Sequence, residues 1–156
     1  MRKAHMFLIP LLILLTISST ISIIVATDVE SGWSETSGYY GGVKVRVGGD
    51  VSGVYFNSIW IHFVSWDNLF GDCIWTRGEL YAYVAYYRGG IAFYDETLVD
   101  WWQYGGSVDK VHSRVAPYHT VGVHGVCKGY FEYWYFGTHY ETLSAEAEIF
   151  SPGFLG

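Results

Sequence analysis

The chain has 156 residues and carries nine basic against 15 acidic side chains, which gives a formal net charge of −6. This balance argues against a nucleic-acid-binding protein, because phosphate contacts need clustered Lys and Arg. It also argues against the cationic helical peptides that attack anionic membranes. Aromatic residues make up 19% of the chain. Because one small core does not need so many rings, we expect some of them on a binding or self-association surface.

The N-terminal segment has the pattern of a secretory signal peptide. A short basic start is followed by an uncharged, mostly apolar stretch that ends at Ala26. We predict a signal helix and signal peptide over residues 1–26, removed after Ala26. The alternative is a retained anchor, since about 20 apolar residues can span a bilayer. We therefore expect a secreted or extracellular protein, with membrane association as a further option.

The remaining residues have the length of one domain with a single core. Residues 43–47 alternate valine with charged residues, which is typical of a half-buried strand. Residues 58–66 are apolar on both faces, which favours a central strand in a two-layer sheet stack. We predict an all-β fold, a two-layer antiparallel β-sandwich of jelly-roll or Ig-like type over residues 43–150. An irregular leader (27–42) precedes it and a loose tail (151–156) follows it.

Local signals within the domain lead to three further predictions. Residues 79–88 contain Leu, Ala and Glu, which favour a helix, but their four tyrosines and a valine indicate a strand. Gly89 and Gly90 follow directly and predict a hairpin turn. Gly78 is expected to mark a break or bulge. Residues 95–100 are the best candidate for a single helical turn, with an aspartate as its N-cap.

The chain contains two cysteines, Cys73 and Cys127. An even number in an exported chain favours a disulfide, which would close a loop of about 55 residues and contribute roughly 4 kcal/mol. Two unpaired thiols are the alternative. No CxxC or HxxxH spacing is present, so we expect neither a metal nor a cofactor.

The ionisable residues do not form a recognisable catalytic motif. His119 and His124 are five residues apart and would face opposite sides of one strand. Glu79, Glu132 and Glu141 lie near aromatic residues that could stack on sugars, as in a small glycoside hydrolase, but no spacing pairs two of them. A G-x-S-x-G nucleophile motif is absent. We therefore predict that the protein is not an enzyme.

The aromatic residues are the better candidates for a functional surface. They could form a carbohydrate-binding platform or a lipid-facing surface, and ordinary cross-strand pairing inside the sheet is the alternative. The candidate target-binding rings are Tyr81, Tyr83, Tyr87, Trp101, Trp102, Tyr130, Trp134 and Phe136.

The C-terminal third also carries a set of motifs in a fixed order. They are an early Trp/Gly segment, a Ser/Tyr/His middle, a valine-rich strand and an Ala-rich closing strand, represented by Trp102, Tyr104, Gly105, Val111, Ser113, Tyr118, His119, Val121, Val123, Ser144, Ala145 and Ala147. Through these positions, residues 101–150 resemble the lactococcin 972 family of secreted bacteriocins, which are small exported β-sandwich proteins. Members of that family are shorter and richer in Lys. The resemblance implies a secreted antimicrobial protein.

Our functional hypothesis is a secreted antimicrobial protein, either a bacteriocin or a toxin comparable to the archaeal sulfolobicins, that acts at the envelope or membrane of competing cells. Its expected partners are that envelope or membrane, further copies of the chain and an immunity protein, and nucleic acid is not among them. The alternative is an extracellular structural or carbohydrate-binding β-module, such as a surface-layer or filament subunit.

Overall fold

A computed structural model describes residues 26–154. The predicted signal helix lies, except for Ala26, outside the described residues. The ten strands of the described part confirm the all-β prediction. They are β1 (Thr27–Glu30), β2 (Ser34–Ser37), β3 (Gly41–Ser52), β4 (Tyr55–Phe56), β5 (Ser58–Asp67), β6 (Gly71–Arg88), β7 (Ile91–Gly105), β8 (Asp109–Val115), β9 (Thr120–Trp134) and β10 (Thr138–Phe150).

The strands form two antiparallel sheets that pack face to face, which confirms the predicted sandwich. The first sheet has the order β1-β3-β5-β8, and the short strands β2 and β4 also pair with β3. The second sheet has the order β10-β9-β6-β7. β5 has a partner on each side, as expected for a strand that is apolar on both faces.

The core lies between the sheets and follows the two-residue period of the strands. On β10, Ala145 and Ala147 are buried while Glu146 and Glu148 are exposed, as the alternation predicts. The larger core side chains are mostly aliphatic. The main contributors are Val43, Val45, Val47, Ile59, Ile61 and Phe63 from the first sheet, and Leu80, Ala82, Val123, Cys127 and Phe131 from the second.

Glycines in the second sheet let side chains of the first sheet approach its backbone closely. A Cβ atom at Gly78 would lie 2.3 Å from the ring of Phe63, and one at Gly125 would lie 2.4 Å from Val47. The sequence predicts a break or bulge at Gly78. This prediction is wrong, because Gly78 pairs regularly with Trp102 and Cys127. Its missing side chain makes room for a ring across the core.

The predicted irregular leader, residues 27–42, contains two strands. Thr27 of β1 lies opposite Val51 at the far end of β3, and Ser34 of β2 lies opposite Val45. β3 is a long strand whose outer edge would otherwise leave its backbone N–H and C=O groups without partners. The leader supplies these partners, and its polar side chains suit an exposed edge.

The helical turn predicted for residues 95–100 is also wrong. These residues belong to β7, where Asp95 lies opposite Val84 and Asp100 lies opposite Leu80. The turn at Gly89 and Gly90, both with positive φ, returns the chain alongside β6 and confirms the predicted hairpin. Pairing with the long β6 outweighs a local helix signal of six residues.

The structure does not form the predicted disulfide between Cys73 and Cys127, and both thiols are free and buried. Cys73 lies opposite Phe131, whereas Cys127 lies opposite Gly78. Four positions along β9 therefore separate them, which is roughly 13 Å and well beyond the ~7 Å that a disulfide spans between Cα atoms. Burial raises the pKa of the Cys127 thiol to about 12, so this thiol stays protonated.

The C-terminal tail is packed rather than loose as far as the structure describes it. The Ser151 hydroxyl donates a hydrogen bond of 2.5 Å to the carbonyl of Val54, and its N–H donates one of 2.9 Å to the carbonyl of Val121. Phe154 then contacts the rings of Tyr94 and Phe150. These contacts fix residues 151–154 on both sheets.

The contact between Gly78 and Phe63 can be tested by substitution. We expect Gly78→Ala to lower the free energy of unfolding by roughly 1–3 kcal/mol, because the new methyl group forces Phe63 out of its packed position. Denaturant unfolding measures this change. Gly32→Ala is the matched control, since no atom lies within 4 Å of its Cβ position. Equal effects of the two substitutions would contradict the packing argument.

Candidate functional site

Three loops meet at one end of the sandwich and expose apolar side chains there. They connect β2 to β3, β5 to β6 and β9 to β10, and the register places them side by side, since Gly41 pairs with Asp67 and Gly71 pairs with Tyr133. Phe136 is 97% exposed and Leu69 is 95% exposed. We call this surface the aromatic tip and define it as Tyr39, Leu69, Phe70, Trp134, Tyr135 and Phe136.

Polar contacts hold the loops of the aromatic tip together. The Asn68 side-chain amide donates a hydrogen bond of 2.9 Å to the carbonyl of Tyr39, and the Asn68 N–H donates one of 2.7 Å to the carbonyl of Tyr40. The ring of Tyr40 stacks on Tyr133 of the second sheet, and Tyr133 stacks on His139. The tip is therefore tied to both sheets.

A groove of about 820 Å³ lies between these loops. Its walls combine tip rings with polar side chains, among them Asp67, Asn68, Asp72 and Glu132. We call it the tip groove. Asp67 is engaged within the fold, since its carboxylate accepts a 2.6 Å hydrogen bond from the Cys73 N–H. The groove thus offers rings and acidic groups to the same ligand.

Asp72 and Glu132 are the unusual pair in the tip groove. They lie directly opposite one another on β6 and β9, so both carboxylates are on one face. Like charges in this position destabilise a sheet. Within residues 26–154 neither carboxylate forms an ion pair. Both residues therefore line the groove, and no cation of the described residues balances their charges.

The turn that carries Phe136 has a strained backbone. Phe136 has a φ of 51°, in the left-handed region that bulky residues rarely adopt. Such a conformation costs roughly 1–2 kcal/mol for a residue with a side chain. Asn or Gly would relieve most of this cost, but the chain has a fully exposed Phe at the position. Strain of this kind often accompanies a functional role.

Three of the predicted target-binding rings lie on the outer face of the second sheet, where neighbouring side chains cover them. Tyr81 donates a 2.7 Å hydrogen bond to Glu79, and Tyr83 donates one of 3.2 Å to Glu148. Tyr130 stacks between Trp75 and Tyr140. These three rings therefore pair with side chains of neighbouring strands, which was the alternative to a target-binding surface.

Glu79 lies beneath the outer face and is only 4% exposed. Burial alone would raise the pKa of its carboxyl, but hydrogen bonds from Tyr81 and Lys128, together with the nearby Arg77, lower it overall. Glu79 is therefore ionised at neutral pH. Along β9 it lies six residues from Glu132, roughly 20 Å away, whereas glycosidase carboxylates are about 5–9.5 Å apart. The two do not form a catalytic pair.

Trp101 and Trp102 point to opposite sides of β7. Trp101 is half-exposed on the outer face, and the Arg77 guanidinium lies 4.4 Å above its ring. Trp102 stacks on His112 of β8 at 4.1 Å, and the guanidinium of Arg114 lies 5.4 Å from its ring. Trp102 therefore helps to close the open edge between the sheets and does not belong to an exposed surface.

Tyr87 lies at the end of the molecule opposite to the aromatic tip, in the β6–β7 hairpin. Only Trp134 and Phe136 of the predicted rings reach the tip. The other tip residues, Tyr39, Leu69, Phe70 and Tyr135, were not among the rings predicted from the sequence. The pair Leu69–Phe70 could have been recognised from the sequence as an exposed apolar pair, because two large apolar residues lie inside a turn-like segment between Asn68 and Gly71.

The described part of the chain contains no helical segment with the length and hydropathy that a membrane span requires. No group of three or more His, Cys, Asp or Glu side chains among residues 26–154 is placed to hold a metal ion. Comparison of the chain with protein-family models, with curated proteins and with solved structures found no match in any of the three.

The environment of His112 leads to a pH prediction. Burial, followed by the cations Arg114 and Lys110, lowers the pKa of His112. The folded state then binds this proton less readily than the unfolded state, whose pKa is about 6.5. The contribution to stability is full above about pH 6.5 and is lost as the pH falls below it. Chemical denaturation between pH 5 and 7.5, at about half-unit steps, measures it. A pH dependence unchanged in His112→Gln would contradict this account.

The strained turn leads to a second prediction. We expect Phe136→Asn to raise the free energy of unfolding by up to about 1 kcal/mol, because Asn tolerates positive φ and the exposed Phe ring makes little packing contact. Denaturant unfolding of the two proteins measures the difference. Tyr135→Asn, one residue earlier and without a positive φ, is the control and should show no such gain. A destabilised Phe136→Asn protein would contradict the strain argument.

Proposed function

We propose that this chain is a secreted, non-enzymatic antimicrobial protein that docks on the envelope or membrane of competing cells through the aromatic tip. The observation that carries the proposal is the convergence of six exposed apolar side chains from three loops at one end of the sandwich. Trp and Tyr are suited to a membrane interface because each ring has an apolar body and a polar group. Leu69, Phe70 and Phe136 supply purely apolar surface beside them.

The size of the tip is sufficient for reversible binding. Full burial of a Leu or Phe side chain contributes about 1.5–3 kcal/mol, so Leu69, Phe70 and Phe136 together would contribute roughly 5–9 kcal/mol before the cost of association. The negative charges of Asp72 and Glu132 next to these rings disfavour a strongly anionic surface. We therefore expect the tip to adsorb to weakly charged surfaces.

Features outside the tip also support the proposal. The signal-peptide pattern of residues 1–26 supports secretion, and the resemblance of residues 101–150 to lactococcin 972 supports an antimicrobial role. An immunity protein in the producing cell is part of the same proposal. We also propose that the sandwich is of jelly-roll or Ig-like type, in which loops at the ends of the sheets commonly bind ligands.

A spot-on-lawn assay with the purified protein, produced from the full chain in an exporting host, tests this proposal. We expect growth inhibition of related strains at micromolar doses and its loss in the double variant Phe70→Ser/Phe136→Ser. The control is Val115→Ser, which removes an apolar side chain that is 84% exposed on β8, outside the tip. Absence of a growth zone on every related strain, or equal activity of the tip variant, would refute the proposal.

A carbohydrate-binding or structural extracellular module is the second candidate. The tip groove favours it, because sugar sites combine rings that stack on the sugar with carboxylate and amide groups that hydrogen-bond its hydroxyls. Asp72, Glu132 and Asn68 provide such groups. Binding on a glycan array that is lost in Glu132→Gln, without growth inhibition in the lawn assay, would favour this candidate over the first.

A further inference from the structure

The end of the molecule opposite to the tip is a projecting hairpin. β6 pairs with β9 only as far as Val84, which lies opposite Thr120. Beyond this point, residues 86–88 of β6 pair only with residues 91–93 of β7 within the described structure. A two-stranded ribbon with no third strand is marginally stable in water. The hairpin end, residues 86–93, therefore gains from being covered.

The hairpin end carries apolar rings around a single cation. Tyr86 and Phe93 stack on each other, and Tyr87 and Ile91 are largely exposed. Arg88 is exposed at the turn of the hairpin, next to Gly89 and Gly90. It forms no ion pair in the part of the chain that the structure describes.

We propose that the hairpin end of one copy docks in the tip groove of a second copy, with Arg88 between Asp72 and Glu132. The two surfaces are complementary in charge, because one offers a guanidinium and the other two carboxylates, none of which forms an ion pair among residues 26–154. An Arg–carboxylate pair forms strong, directional hydrogen bonds. Rings on both sides of the charged contact, such as Tyr87 and Trp134, would be covered at the same time.

The topology makes this contact intermolecular and repeating. β6 begins at Gly71 beside the tip groove and ends at Arg88, so its 18 residues separate the two surfaces by roughly 55 Å. One molecule therefore cannot bring its own hairpin to its own groove. A contact between two different surfaces, repeated from copy to copy, either closes into a ring or continues as an open chain of subunits, and we expect the open chain.

This assembly does not depend on the proposed antimicrobial activity. In an open chain the terminal copy keeps a free aromatic tip, which can still bind a surface. Arg88→Glu separates the two ideas, since it removes the hairpin contact and leaves the tip unchanged. Assembly can therefore fail while growth inhibition persists, and growth inhibition can fail while assembly persists.

Sedimentation velocity of the purified protein over a range of concentrations and salt tests the assembly. We expect the average mass to rise with concentration without a fixed limit, and to fall as salt screens the Arg88 contact. Arg88→Glu and the double variant Asp72→Lys/Glu132→Lys should each weaken association at least tenfold, with unchanged circular dichroism. Lys110→Glu makes the same change of charge on β8, away from both surfaces, and should assemble as the unaltered protein does.

Mixing the two defective proteins gives the sharpest result. Arg88→Glu keeps an intact groove, and the groove variant keeps an intact hairpin. The mixture should therefore regain assembly, because the intact hairpin of the groove variant fits the intact groove of Arg88→Glu, and the acidic hairpin of Arg88→Glu is again opposite in charge to the Lys-bearing groove. Four results would each overturn the proposal: a protein that stays monomeric at every concentration, a closed homodimer, variants that assemble like the unaltered protein, or a mixture that does not assemble.

Discussion

The close approach of the two sheets is the constraint on which the rest of the molecule depends. Phe63 lies over Gly78 and Val47 lies over Gly125, so side chains of the first sheet touch backbone of the second. The interior between them is filled mainly by Val, Ile, Leu and Ala, with few rings. Most aromatic side chains must therefore lie on the outer faces, at the open edge or at the two ends. This distribution creates the exposed aromatic surfaces at the tip and at the hairpin end.

Three features that each oppose folding coincide at the aromatic tip. Large apolar side chains are exposed, Phe136 has a positive φ, and Asp72 and Glu132 lie opposite each other with no cation from the described residues paired to either. Natural sequences usually depart from folding rules at functional sites and are consistent elsewhere. The outer face of the second sheet shows the contrast, because its rings and carboxylates bind one another and Glu79 is fully paired.

Sequence patterns predicted the parts of the fold that depend on alternation, namely the strand over residues 43–47 and the outward glutamates of β10. They did not predict what depends on pairing between distant segments. Residues 95–100 form a strand because β6 needs a partner, and the register that separates Cys73 from Cys127 is set by the whole β6–β9 pair. Of the six tip residues, Trp134 and Phe136 were among the rings singled out from the sequence. The other tip residues come from loops that only the completed sandwich brings together.

Trp134 provides the most direct measurement of whether the tip is a binding surface. It is 73% exposed, so its fluorescence in the free protein should be that of an indole in water. The difference in emission between the unaltered protein and Trp134→Phe isolates its signal. On addition of envelope preparations or zwitterionic vesicles, we expect this signal to shift to shorter wavelength as the ring leaves water. The emission difference between the unaltered protein and Trp101→Phe, which isolates the signal of Trp101, should stay constant. An unshifted Trp134 signal under conditions where the protein co-sediments with the same surface would contradict the account, because binding would then use another part of the molecule.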